Sequence, residues 1–385
     1  MTATGDVKNC RMAGPECNID AAFSSYKDTR FFINLNGLRF ICITMVLWHH
    51  AIPIDKGSFQ LFGRGFMGVD FFFVLSGFLI TTLLLREARE RGRYSLRAFY
   101  IRRGLRILPV YFFVVTAVAT YYIGIKGQVE YLQILPYYYI FFSNFLTEHI
   151  PTLTITWSLS IEQQYYLVWP ALLLVLPLAA RVPLLLLLIF INVVISAGWI
   201  LIDPIAAGHL LFQLPNATYA PILLGSLLAI LLDRKRSFVL FWWLLGSRWA
   251  ALILAVALIL ALQLTPWNVL GWPNLLIHTT MTLMLAALVV RERTMLTPFL
   301  AARPVARVGE ISYGIYLYHL IGLDIWMRIL GPAGFDEGWM RLIGYSAISI
   351  LLAEISFRTL EAWFRRYRPG GLPATTSIRM TEKQS

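Results

Sequence analysis

Leu38-Arg39-Phe40-Ile41-Cys42-Ile43-Thr44-Met45-Val46-Leu47-Trp48-His49-His50 is the stretch on which the reading of this chain turns. An apolar run, Phe40 to Trp48, carries an arginine at its start and a histidine pair at its far end. Arg39 and His50 are eleven positions apart, and at about 3.6 residues per turn they return to nearly the same helix face, displaced by roughly 16 Å along the axis. If the helix crosses a bilayer, Arg39 lies at one boundary and His50 near mid-depth, because half the hydrocarbon thickness is about 15 Å. Imidazole exchanges protons near neutral pH, so a histidine at that depth has two readings: a chemical group, or a helix-to-helix hydrogen-bonding side chain.

The rest of the composition supports a membrane setting. Hydrophobic residues make up 58% of the 385 and charged residues 14%, and the mean hydropathy is +0.66. A soluble chain of this length needs far more polar surface. The net charge of +12 raises nucleic acid as a partner, but in such a chain the arginines are first read as topology signals. The first thirty residues are polar and lack the apolar core of a cleavable signal peptide, which predicts a cytoplasmic N-terminus. Cys10, Cys17 and Cys42 make neither a disulfide framework nor a four-ligand zinc site.

Ten apolar segments read as spanning helices: Leu38 to Ile54, Gly65 to Leu85, Ile107 to Ile125, Thr156 to Leu176, Val182 to Ile202, Ala217 to Leu232, Trp249 to Leu264, Asn274 to Val290, Ile311 to Leu330 and Trp339 to Leu360. The loops alternate in charge. One side collects Lys27 and Arg30, the dense run from Arg86 to Arg106, Arg181, Arg234 to Arg236, Arg291 to Arg307, and Arg365 to Arg368; the other has Lys56, Arg64 and Lys126. The positive-inside rule then puts both termini in the cytoplasm, in agreement with an even helix count. The expected organisation is a cytoplasmic segment 1–33, a ten-helix all-α membrane domain 34–366 and a disordered cytoplasmic tail 367–385. Tyr131 to Phe145, aromatic and too short to cross, is expected to lie in or re-enter from the outer interface, and Ser237 to Gly246, with Trp242-Trp243, to anchor at the inner one. No internal repeat of the inverted-transporter kind is present.

Polar groups inside apolar helices are costly, so their positions are informative. On this topology His50, Asp70 and Glu162 fall in the outer half of the membrane. Asp70 also fits a helix-start or interface charge, and Glu162 the buried partner of an arginine. Tyr100-Ile101-Arg102-Arg103-Gly104-Leu105-Arg106 leads into the third helix; such a cluster sets topology and binds acidic headgroups, or holds phosphate through bidentate guanidinium forks together with Arg39. Tyr313, Tyr316 and His319 share a face of the ninth helix, which interhelical hydrogen bonding explains and the lining of a reaction chamber also explains. Glu361 and Arg365 form an i to i+4 pair.

Taken together, these pieces resemble the acyltransferase-3 family of integral-membrane O-acyltransferases. The resemblance runs from Asn34 to Arg366 and lies in Asn36-Gly37-Leu38-Arg39 with His50 eleven on, Gly68-Val69-Asp70 to Ser76-Gly77-Phe78, Arg102-Arg103-Gly104-Leu105-Arg106-Ile107-Leu108-Pro109, Trp157-Ser158-Leu159-Ser160-Ile161-Glu162, Ile311-Ser312-Tyr313 to His319, and Ser356-Phe357 to Glu361. The chain departs from the pattern at Ala362-Trp363, where many members have a nearby proline. The resemblance implies transfer of an acyl group, usually acetyl, from cytoplasmic acyl-coenzyme A to a hydroxyl of a carbohydrate or glycolipid acceptor at the outer side of a bacterial inner membrane. It selects His50 over His49 as general base or nucleophile, with Glu162 or Asp70 orienting it. It implies Arg39, Arg102, Arg103, Arg106 and Ser76 for the donor, and Trp157, Tyr313, Tyr316 and His319 for the acceptor side. No metal and no nucleic acid is expected, and oligomeric state is left open. Some members carry an esterase-like domain after the tenth helix, and the sequence is expected to end before one.

Two other classes share the same features. A sugar transferase acting on a polyisoprenyl diphosphate would use the cytoplasmic arginines but needs a carboxylate cluster for a divalent metal, which Glu87, Glu90 and Asp233 do not obviously make. A transporter or flippase would use His50, Glu162 and His319 as a proton relay.

Overall fold

A computed structural model describes residues 15–51, 60–200, 203–212, 219–266, 270–335 and 338–367. Each of the ten apolar segments is a helix within that range. After an N-terminal helix α1 (Pro15–Asp28) they are α2 (Leu35–Ala51), α3 (Met67–Arg91), α4 (Leu96–Ala119), α5 (Thr156–Val175), α6 (Leu178–Ser196) and α7 (Ala220–Asp233). Then come α8 (Lys235–Leu245), α9 (Ala250–Leu264), α10 (Trp272–Val290), a short α11 (Arg303–Glu310), α12 (Ser312–Ile329) and α13 (Gly338–Arg358).

Among the described residues, five helical stretches are long and apolar enough to cross a membrane: α3, α4 with its extension to Ile125, α6, α10, and α13 continued to Arg365. A sixth arises if α8 and α9, bent by 76° at the break between them, form one broken span; the expected inner-interface anchor, Ser237 to Gly246, is the first limb of that pair. The remaining segments fall short for local reasons. The described part of α2 ends at Ala51, so the expected continuation to Ile54 lies outside the described residues. α7 is 14 residues long; α5 carries Ser158, Ser160, Glu162, Gln163 and Gln164, and α12 carries Asp324 and Arg328, all of which lower the hydropathy.

Helix ends and crossings follow from particular residues. Ser95 caps α4 by accepting a hydrogen bond from the Ala98 N–H at 3.2 Å, and Gly92 ends α3 in the left-handed region at φ 73°. Small residues bring α3 and α7 into backbone contact: a methyl at Gly77 would overlap the Ile222 carbonyl, and one at Gly225 the Val74 carbonyl. Arg64 is fully buried. Its guanidinium donates to the Leu262 and Thr265 carbonyls, both at 2.7 Å, so it closes the C-terminal end of α9.

Two additions were not expected. An antiparallel two-stranded hairpin, β1 (Ile205–Ala207) and β2 (Leu210–Phe212), follows α6, so the chain is mostly rather than wholly helical. Residues 15–33, expected only as a polar cytoplasmic segment, include α1, which docks under the bundle. Lys27 pairs with Asp233 at the end of α7, Arg86 of α3 donates to the Tyr26 carbonyl at 3.1 Å, and the Phe23 and Phe238 rings lie 5.1 Å apart. Tyr131 to Phe145 is broken into short turns, with Tyr138 fully buried and its hydroxyl accepting from the Ile150 N–H at 3.0 Å. The tail from residue 368 lies outside the described residues.

Candidate active site

A cavity of about 820 Å³, counted to its open mouth, lies between α2, α3, α4, α5 and α12. Arg39 comes from α2, Ser76 from α3, Arg103 and Arg106 from α4, Ser158, Glu162 and Tyr166 from α5, and Tyr313 and Tyr316 from α12. The α5 contribution is a matter of spacing. Ser158, Glu162 and Tyr166 are four residues apart, so a helix puts all three on one face.

At its centre the Glu162 carboxylate accepts hydrogen bonds from the Ser76 and Tyr166 hydroxyls, which are 3.1 Å from each other. The Arg103 guanidinium lies over the Tyr166 and Phe99 rings, 5.6 and 6.0 Å from their centroids. Among the described residues Arg39, Arg103 and Arg106 make no ion pair. Glu310 also lines the cavity, but it is paired with Arg307 at 2.6 Å. Three guanidinium groups thus face a space in which one carboxylate, already hydrogen-bonded, is the nearest compensation. That donor set suits an anion with several oxygens, such as the phosphates of a nucleotide carrier.

Tyr316 in the cavity lining is held by its hydroxyl, which meets the Ser158 hydroxyl at 2.6 Å and donates to the Ile155 carbonyl at 3.1 Å. Tyr313 donates to the Ile107 carbonyl at 2.9 Å. Beyond Tyr316 lies His319, its ring 5.5 Å from the tyrosine ring and 4.9 Å from the ring of His50. The half-buried His50 is therefore not on the cavity wall and is separated from Tyr316 by the His319 ring.

The expected site residues divide accordingly. Arg39, Arg103, Arg106, Ser76, Glu162, Tyr313 and Tyr316 come together in the cavity; His319 and His50 form a pair behind it. Arg102 points away and is held by Glu87 at 2.6 Å. Trp157 packs edge-on against Phe73, 6.3 Å between centroids. Asp70 faces α10, where its carboxylate meets Nε2 of the buried His278 at 2.9 Å. Among the described residues neither Asp70 nor Glu162 is hydrogen-bonded to His50, so neither orients that imidazole in this arrangement. Tyr166, Ser158 and His278 were not singled out from the sequence. The first two were signalled by their four-residue spacing from Glu162, and His278 as a lone imidazole in the apolar eighth segment. Among the described residues no group of three or more His, Cys, Asp or Glu side chains is arranged to hold a metal ion.

Comparison with known proteins bears on this arrangement. A family model described as an acyltransferase domain matches residues 32–357. The chain is 27% identical over 362 residues to the peptidoglycan O-acetyltransferase OatA of Listeria monocytogenes, covering 88% of this chain and 56% of that protein. It is 26% identical over 361 residues to the O-acetyltransferase OatA of Staphylococcus aureus, covering 88% of this chain and 58% of that protein. The chain thus spans less than two thirds of the length of either relative. No solved structure matches it.

Proposed function

The chain belongs to the acyltransferase-3 family of integral-membrane O-acyltransferases, and from that membership we propose that it transfers an acyl group, acetyl in the simplest case, from cytoplasmic acyl-coenzyme A to a carbohydrate hydroxyl at the outer side of the membrane. The name of the Listeria relative makes peptidoglycan the first acceptor to assay. The proposal includes ten spans with both termini in the cytoplasm and residence in a bacterial inner membrane, since the arginines gather at alternate loops.

The observation that carries this reading is the set of three arginines around one cavity that make no ion pair among the described residues. Arg39, Arg103 and Arg106 bind the donor's phosphates, and burial strengthens each such contact relative to water. Acyl-coenzyme A held there would supply a thioester, the activated form of the acyl group. Glu162, fixed by Ser76 and Tyr166, limits the mutual repulsion of the guanidinium groups and keeps them aimed into the cavity. His50, reached past Tyr316, takes the proton from the acceptor hydroxyl or accepts the acyl group itself. Arg102, engaged with Glu87, is left out of this scheme, and Asp70 is assigned to holding α3 against α10 through His278.

Two measurements test the proposal. Purified protein in detergent is titrated with coenzyme A, and acetyl transfer to glycan fragments is followed with His50→Ala in protein that still binds coenzyme A. Binding in the wild type with a loss of turnover of about 10²-fold or more in the variant is expected. Absent binding, or retained turnover, would remove the donor assignment or the His50 assignment respectively.

A further inference from the structure

His319 is fully buried, and its two ring nitrogens stand in different situations. Nδ1 lies 2.6 Å from the Tyr316 carbonyl. A carbonyl only accepts, so Nδ1 carries the proton and the neutral ring leaves Nε2 as a bare acceptor. That Nε2 is buried and, among the described residues, has no hydrogen-bond partner, a costly state for a polar atom. Tyr316 is itself anchored to α5 through Ser158 and the Ile155 carbonyl, so the tautomer and place of His319 are set by a chain of bonds that begins at the cavity. The ring facing it is that of His50, 4.9 Å away between centroids with the planes at 53°. His50 has no hydrogen bond among the described residues. On its other side stands His49, at 5.2 Å and 73°.

We infer that His319 is a positioning residue for His50: its bare Nε2 accepts the N–H of one His50 nitrogen and thereby leaves the other His50 nitrogen unprotonated for the acceptor hydroxyl. This rests on the acyl-transfer reading of His50. In the general-base form of the step, the hydroxyl proton passes to the free nitrogen of His50 as the new C–O ester bond forms and the thioester C–S bond breaks, and the proton then goes to the departing thiolate. While His50 is doubly protonated its second N–H remains directed at His319, which stabilises the imidazolium. A carboxylate does this in many histidine-centred sites; among the described residues neither Glu162 nor Asp70 is hydrogen-bonded to the ring, and an imidazole locked by a backbone carbonyl takes that place.

The test compares two substitutions that fill similar volume. His319→Gln offers an amide oxygen at about the reach of Nε2, whereas His319→Leu packs without an acceptor. Each is assayed for coenzyme A binding, which depends on the arginines and reports folding, and for kcat and donor KM. The expected result is a kcat for the Leu variant lower by about 10-fold or more, a Gln variant within a few-fold of wild type, and donor KM unchanged in both. A Leu variant as active as the Gln variant, or losses appearing in KM instead of kcat, overturns the inference. His50→Ala, run alongside, separates the cases. If it stays active, the reading of His50 has failed; if it is inactive while the Leu variant turns over normally, only the role of His319 has.

Discussion

At Arg103 one guanidinium serves a cavity and two aromatic rings, which makes its removal informative about what the cavity holds. Loss of one charge-assisted contact to a phosphate costs roughly 1.5–3 kcal/mol, so Arg103→Ala is expected to raise KM for acyl-coenzyme A by about 10- to 100-fold and leave KM for the acceptor within two-fold. Initial rates with both substrates varied decide it, and equal rises would return the residue to topology alone. His278 offers a contrasting case, because its partner Asp70 does not line the cavity. His278→Leu leaves that carboxylate without its donor and should lower stability by about 1–3 kcal/mol in thermal unfolding, with transfer unimpaired where the protein is folded. An unchanged melting temperature would dismiss the pair as a structural tie. The two residues also mark what the sequence reveals. Glu162 was legible as a carboxylate inside an apolar helix, whereas Ser158 and Tyr166 were missed although a helix places residues four apart on one face. The Asp70 to His278 bond joins positions 208 apart, and hydropathy carries no information about which helices become neighbours.

Helix crossings raise the same question at a larger size. The α3 and α7 backbones meet where Gly77 and Gly225 face each other's carbonyls, and such a contact yields to no rotamer change. Gly225→Ala is therefore expected to destabilise by about 1–3 kcal/mol, although alanine is the better helix former by about 1 kcal/mol. Gly104→Ala serves as the control. Its new methyl would meet only the end of the Leu108 side chain, at 3.4 Å, so that substitution should be neutral or stabilising. Identical unfolding curves for the two variants would contradict the packing described. Positions of helices were readable from apolar runs, and the Ser95 and Gly92 ends are ordinary cap chemistry. The β1 to β2 hairpin was not readable, since Ile205–Ala207 and Leu210–Phe212 are three residues each and lie beside an apolar helix that masks them.

For the molecule as a whole, the prediction concerns which way it faces. With Cys10 and Cys17 replaced by serine and Cys42 buried, a single cysteine at Lys126 should react with an impermeant maleimide in intact cells. One at Arg91, on the exposed end of α3, should react only after the inner face is opened. The reverse pattern would invert the orientation and place the arginine end of the cavity outside. Sidedness could be argued from the sequence because arginines and lysines are retained in cytoplasmic loops, a bias that is read loop by loop without the fold. The assembly of the cavity could not, because it depends on five helices drawn from positions 39 to 316 meeting in one order around a shared space.

Tyr316 lines that space, with an imidazole pair waiting behind it. A thioester is prone to hydrolysis, and any catalyst that shows one to bulk water squanders it. Under the donor assignment proposed above, Tyr316, hydrogen-bonded to Ser158, stands between the thioester and the imidazole pair it must reach. Loosening that bond, as in Ser158→Ala, should show itself as idle consumption of the thioester in the absence of any sugar to receive it.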